Sequence, residues 1–263
     1  MKQLLTYWSV DLSSFIVFLM TVSIVIITKG FVNKKITATV LILLIICLFS
    51  PLHVLSAQYL FSAHMTVHVI LLLCIGPMLV MILPTNARQF HQLFHFLKQH
   101  PVINWLTGIG VMWFWHVPIV FNTAMSTMHH NHFNFFSIIE TLSLIIAGIL
   151  FSAPIVHPNK EHKIDALSGV AYLFTACIGC SLLGLLITFT PTNTYHHFLS
   201  MQDDYGLNKI ILNDWGLTQS IDQQAAGLIM WVPCCLIYVT GAMYLLVDWF
   251  KQKEKTIAYS NKL

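Results

Sequence analysis

Seven long apolar runs, joined by short polar connections, limit this chain to one kind of fold. They cover residues 11–28, 36–54, 62–84, 102–122, 133–156, 166–190 and 224–249. A helix of about 20 mostly apolar residues spans the hydrocarbon core of a bilayer. Inside that core every backbone polar group must find its partner within the protein, and a helix does this residue by residue. The chain is therefore expected to be all-α: a polytopic bundle of seven transmembrane helices. Over the 263 residues, 57% are apolar and only 9% charged, against roughly 45–50% and about 25% in soluble domains. The connections leave no room for a separate soluble domain, so residues 1–263 are read as one membrane domain.

Lysine and arginine set the orientation, because cytoplasmic loops of membrane proteins are enriched in them. Alternate connections divide the basic residues into two groups. One holds Lys29, Lys34, Lys35, Arg88, Lys98, Lys160, Lys163, Lys251, Lys253, Lys255 and Lys262, and the other only Lys2 and Lys209. The first group marks the cytoplasmic side. The C-terminus is then cytoplasmic, the N-terminus lies outside, and seven crossings agree with that. The first run lacks a basic leader and a small-residue cleavage site, and reads as a retained helix. The bilayer is the expected surrounding, and no nucleic-acid partner is expected. All six cysteines fall inside apolar runs, which argues against a disulfide framework.

The fourteen histidines sort unevenly onto this topology. His91, His95, His100, His157 and His162 fall on the cytoplasmic side, in loops that also carry basic residues. His53, His64, His68, His116, His129, His130, His132, His196 and His197 lie outside or in outer helix halves. Imidazole is the commonest protein metal ligand and an axial ligand of haem. His64 and His68 are four residues apart and share a helix face. His116 stands in Trp113-Phe114-Trp115-His116-Val117-Pro118, inside an apolar span, where polar groups normally face the bundle interior. Together the three are read as a pocket near the outer surface. On ligand type alone it suits copper, zinc or iron. Any one of them alone would more simply be an interfacial residue bonded to water or backbone. The loop histidines are read in that way.

Two carboxylates and one thiol pair complete the set. Glu140, within the fifth run, is a functional candidate because an intramembrane carboxylate is expensive. It is expected to pair with a histidine, bind a metal, or serve protonated as a hydrogen-bond donor. Asp222 opens the seventh run in Asp222-Gln223-Gln224. It is either a helix cap or a carboxylate at the level of His64 and His116. Cys177 and Cys180 share a face of the sixth helix. Thiols select Cu(I), but in so apolar a setting they are read as core filling.

Four segments carry a resemblance: Phe61-Ser62-Ala63-His64-Met65 with His68, Gly76-Pro77 to Leu83-Pro84, Trp115-His116-Val117-Pro118, and Asp222-Gln223-Gln224 with Gly227 and Met230. With these the chain resembles the seven-helix CtaG family of cytochrome c oxidase assembly factors, from the third helix to the seventh. It departs at Phe151-Ser152-Ala153-Pro154, where the family pattern is more aromatic, and the first two helices carry no recognisable match. The resemblance implies a multi-pass protein of the bacterial plasma membrane, without enzymatic activity, that helps assemble a caa-type haem–copper oxidase. It implies a role in forming the copper centre, with the oxidase subunits as partners, above all the extracytoplasmic copper-bearing one. His64, His68, His116 and Asp222 carry over as its functional positions; with the three histidines as copper ligands, Asp222, or Glu140 by its place within the fifth run, is expected to stand behind them or act as an additional ligand. The rival readings are a haem-binding or redox membrane protein, with His68 and His116 as axial ligands, and a metal transporter.

Overall fold

A computed structural model describes residues 7–27, 33–82, 88–127, 133–195, 198, 203 and 205–260. They are almost entirely helical, with no strand among the described residues. The main helices are α1 (Leu12–Ile27), α2 (Lys34–Phe49), α3 (Pro51–Tyr59), α4 (Phe61–Ile82), α5 (Arg88–Gln99), α6 (Pro101–Trp115), α7 (Pro118–Thr127), α8 (Phe135–Val156), α9 (Ala166–Phe189) and α10 (Gln219–Ser260).

Four of these, α4, α8, α9 and the Gln219–Glu254 part of α10, are long and apolar enough to cross a membrane unaided. Two further crossings are bent pairs, α2 with α3 at 45° and α6 with α7 at 64°. Proline causes both bends: it lacks the N–H of a continuing helix and clashes with the carbonyl one turn back. At the first bend Ser50 leaves the helical conformation, and its hydroxyl accepts the Leu52 N–H at 3.1 Å, restarting the helix at Pro51. At the second, Pro118 ends α6 at Trp115 and restarts the chain as α7. Where uninterrupted spans over 36–54 and 102–122 are expected, the chain therefore bends. The first run forms α1, an apolar helix of 16 residues.

Pro77 acts more gently inside α4. Residues Ile70–Ile75, just ahead of it, widen into a π-helical turn, which takes up the missing hydrogen bond and keeps the span continuous. The turn begins two residues after His68, so it rotates the first turns of α4 relative to the rest.

The connection between the third and fourth runs is not a simple loop. It forms the amphipathic helix α5, which buries Phe94 and Leu97 against Val80 and Ala153 and turns Leu93 and Phe96 outward. A helix of this kind lies along the surface of a membrane.

Glycines set how closely the long helices pack, as small residues do where helices meet in lipid. A Cβ on Gly148 would stand 2.5 Å from the Leu72 carbonyl oxygen, and one on Gly76 would stand 2.6 Å from Gly148 itself. The backbones of α4 and α8 therefore touch. The pair α9 and α10 meets the same way, where a Cβ on Gly184 would lie 2.6 Å from the Gly227 carbonyl oxygen. Outward faces carry bare Ile146, Phe174, Leu182, Leu236 and Met243. Apolar cover on that scale belongs against lipid. The chain is a multi-pass membrane protein.

Candidate metal centre

His64 and His68 lie on the inner face of α4, one turn apart, with ring centroids 4.1 Å from each other. Both are buried. Glu140 reaches them from α8, with its Oε1 3.6 Å from His64 Nε2 and 3.4 Å from His68 Nε2. One ligand atom from each of the three falls within 4.8 Å of the others. Close contact between α4 and α8 at Gly76 and Gly148 makes this meeting possible. Glu140 stands two turns before Gly148 on α8, and His68 two turns before Gly76 on α4, so tight backbones bring the carboxylate to the imidazoles.

His116 enters from the break between α6 and α7, where Pro118 has left its backbone out of the helical ladder. Its ring is 5.2 Å from that of His68. Its Nδ1 lies 2.6 Å from the Met112 carbonyl oxygen. A carbonyl only accepts, so Nδ1 carries the hydrogen and Nε2 presents a lone pair. Nε2 is buried and has no hydrogen-bond partner, and His64 Nε2 and His68 Nδ1 share that condition. Histidines that bind metal through one nitrogen commonly donate the other N–H to a backbone carbonyl, and His116 is set up in that way. The phenol of Tyr195 donates to the His116 carbonyl at 2.9 Å, and the indole N–H of Trp115 donates to Ser143 on α8 at 2.8 Å. The break is thus pinned on both sides.

Metal–nitrogen bonds of about 2.0–2.1 Å place the centroids of two imidazoles on one four-coordinate ion about 5 Å apart. The observed 4.1 and 5.2 Å bracket that figure. Three imidazoles with a single carboxylate suit a borderline transition-metal ion better than a hard one such as magnesium or calcium.

A cavity of about 40 Å³ adjoins the cluster, lined among others by Ser14, Cys47, His53, His64, His68 and Glu140. It has room for a few water-sized species. Above the histidines, Phe61, Phe121, Tyr195 and Phe198 pack ring against ring, with centroids 4.9–6.2 Å apart. These rings border the histidines: Phe61, Phe121 and Phe198 stand 5.5–6.5 Å from the ring of His64, and Phe121 stands 6.4 Å from that of His116. On the cavity side, His53 Nε2 pairs with Asp11 Oδ1 at 3.0 Å.

Asp222 does not join the cluster. Its carboxylate accepts the Phe61 N–H at 2.7 Å, the Ser62 N–H at 3.1 Å and the Ser62 hydroxyl. These are free donors at the start of α4, which has no capping side chain of its own; a carboxylate there answers both the open N–H groups and the helix dipole. Next to it, Gln223 Nε2 donates to the Ile187 and Thr190 carbonyls at 2.9 and 2.6 Å, closing the end of α9. The Asp222-Gln223 pair therefore ties α10 to one end each of α4 and α9.

One family model, described as cytochrome c oxidase caa3 assembly factor (Caa3_CtaG), matches residues 38–252 of the 263. The chain belongs to this family. No curated protein and no solved structure matches it. The match begins within the second apolar run, which carries no recognisable motif in the sequence, and it extends into α10 as far as residue 252.

In this caa3 assembly factor, three of the five residues singled out in the sequence bring their ligand atoms together, His64, His68 and Glu140, and His116 adjoins them through His68. Asp222 stands apart as a cap, and for α4 rather than for its own helix, which starts at Gln219. Cys177 and Cys180 face α10 instead, Cys180 toward the Tyr238 hydroxyl at 3.9 Å and the Cys177 carbonyl toward Cys235 Sγ at 3.7 Å. His129, His130, His132, His196 and His197 lie outside the described residues. His157 and His162, placed by sequence in loops, are buried. The pinning residues Tyr195, Ser143 and Met112 carry no signal in the sequence, because their role exists only once the break at His116 has formed.

Proposed function

We propose that this caa3 assembly factor helps form the copper centre of a haem–copper cytochrome c oxidase by holding a copper ion transiently. His64, His68 and His116 serve as ligands through ring nitrogens, and Glu140 supplies the negative charge. The reading rests above all on the buried ligand atoms of His64, His68 and Glu140 gathering within 4.8 Å of one another, with the His116 ring 5.2 Å from that of His68 and an unpartnered ring nitrogen on each of the three imidazoles. Such groups are costly to bury idle, and an ion would satisfy them together.

In this reading α1 counts as a seventh crossing, the N-terminus lies outside, and the lysine-rich tail is in the cytoplasm of a bacterium. The cluster then sits in the first turns of α4, close beneath the outer face of the plasma membrane. An ion held there is within reach of the copper-bearing domain of an oxidase subunit on that side. Imidazole exchanges copper more readily than a closed thiolate cage, which fits delivery rather than storage. No bond in a substrate is made or broken, so the role is non-enzymatic. The spacing of His68 and His116 and a cavity of about 40 Å³ suit an ion and not a porphyrin between the rings.

The test is copper loading of the oxidase in cells that carry His64→Ala or His116→Ala in place of the wild-type chain. Oxidase that accumulates without its copper is the expected result. Full oxidase activity with both variants would overturn the copper role while leaving membership of the family untouched.

A further inference from the structure

A second group of imidazoles lies at the other, lysine-rich end of the bundle, away from the cluster described above. His157 closes α8, His162 belongs to the short turn Lys160–His162, and His91 projects from α5. The ring of His162 lies 4.7 Å from that of His157 and 4.7 Å from that of His91. Each spacing is near the distance of about 5 Å between imidazoles that share a four-coordinate ion; among the described residues three ligand atoms fall within 4.8 Å of one another only at His64, His68 and Glu140, so exposed His91 has to turn inward for the three rings to share one ion.

Two of the three rings are buried without adequate partners. His157 is 0% and His162 2% exposed, whereas His91 is exposed. Both ring nitrogens of His162, and Nε2 of His157, are buried with no hydrogen bond. The other nitrogen of His157 has two backbone neighbours on Asn159: the N–H at 3.1 Å and the carbonyl oxygen at 3.3 Å. When Nδ1 accepts from the N–H, the hydrogen sits on Nε2 and is stranded. When Nδ1 donates to the carbonyl, Nε2 offers a lone pair toward His162. The second arrangement is the one a metal selects. Phe94 packs against the buried pair at a tilt, its ring 4.3 Å from that of His157 and 6.0 Å from that of His162.

We propose that His91, His157 and His162 form a second metal site, specific for a divalent transition-metal cation of the zinc or copper type. The residues around it bear on which ion can enter. Lys98 lies close by but its ammonium is drawn onto the Glu161 carbonyl at 2.8 Å, Lys160 and Lys163 flank the turn, and Glu161 brings the nearby carboxylate. A site with neutral nitrogen ligands in basic surroundings rejects magnesium and calcium, which need several oxygen ligands. It admits only ions with strong intrinsic affinity for imidazole. The pair His157 and His162 is fixed by the fold, while His91 rides on the surface helix α5 and completes the site from outside.

Equilibrium dialysis of the full-length protein in detergent against Zn²⁺ alone tests the proposal. It is best done in a His64→Ala/His116→Ala background, so that the outer cluster does not contribute. About one zinc per chain is expected to remain bound there, as for a single closed imidazole site. His91→Ala changes only an exposed position and leaves the fold intact, and it is expected to weaken zinc binding at least about tenfold, the loss typical of a missing ligand contact. His162→Ala is expected to abolish binding in that background. Zinc binding unchanged by both substitutions, or no zinc bound to begin with, overturns the second site. Either result leaves the outer cluster to stand or fall on its own variants.

Discussion

The carboxylate of Asp222 accepts the backbone N–H of Phe61 at 2.7 Å across 161 residues of sequence. Through this bond the last long helix holds the first turn of α4, and three residues later that turn presents His64. An aspartate that sequence offers as a ligand or as a local cap thus works as a cap on a different helix, and positions the turn that carries the histidines.

Removing that cap should loosen α4 at the histidines. Asp222→Ala strands buried N–H donors of Phe61 and Ser62 and should destabilise the fold by about 3–5 kcal/mol, as breaking a buried charged hydrogen-bond set does. Ser62→Ala leaves the carboxylate with both backbone donors and should cost only about 1 kcal/mol. Thermal unfolding in detergent, the two variants side by side, measures the difference. Equal, small losses would show that the cap carries little.

The contact between α4 and α8 makes a second prediction, one that touches no ligand. Gly148→Ala places a methyl group 2.5 Å from the Leu72 carbonyl oxygen, and overpacking of this sort costs about 1–3 kcal/mol or forces the helices apart. Separation draws Glu140 away from His64 and His68, so bound copper should fall steeply in the purified protein. Gly110→Ala meets nothing within 4 Å and should leave copper unchanged. The pair is read by metal content per chain.

Tyr195 makes a third. Tyr195→Phe removes only the hydroxyl that holds the His116 carbonyl, a loss of about 1 kcal/mol in stability. Freed at its break, His116 should wander from the cluster and lower copper affinity about tenfold, the usual scale for losing support behind a ligand. Competition with a copper chelator at fixed pH measures it. An unchanged affinity would mean that the Met112 bond alone sets the ring.

The sequence makes the long helices legible because a bilayer demands apolar length, and a run such as 62–84 can satisfy that demand in only one way. It also brings out His64 and His68, since four residues on one helix share a face. The bends at Pro51 and Pro118 are less visible: hydropathy counts residues along a run and is blind to its direction. Helix α5 escapes detection because, among its described side chains, only Phe94 and Leu97 are buried, and its glutamines, histidines and lysine read as a loop. The buried pair His157 and His162 is missed for a related reason, as charged neighbours conceal burial. What Glu140 pairs with depends on the closeness of Gly76 to Gly148, and nothing in a single sequence states which two glycines will touch.

Metal analysis of the detergent-purified protein, wild type beside His64→Ala and His116→Ala, tests the central claim most directly. After exposure to copper and removal of loosely held ion, the wild type should lose close to one copper per chain, in the sense of a single imidazole site, on either substitution, while remaining monodisperse and folded. Copper retained in equal amount by all three proteins would contradict the account.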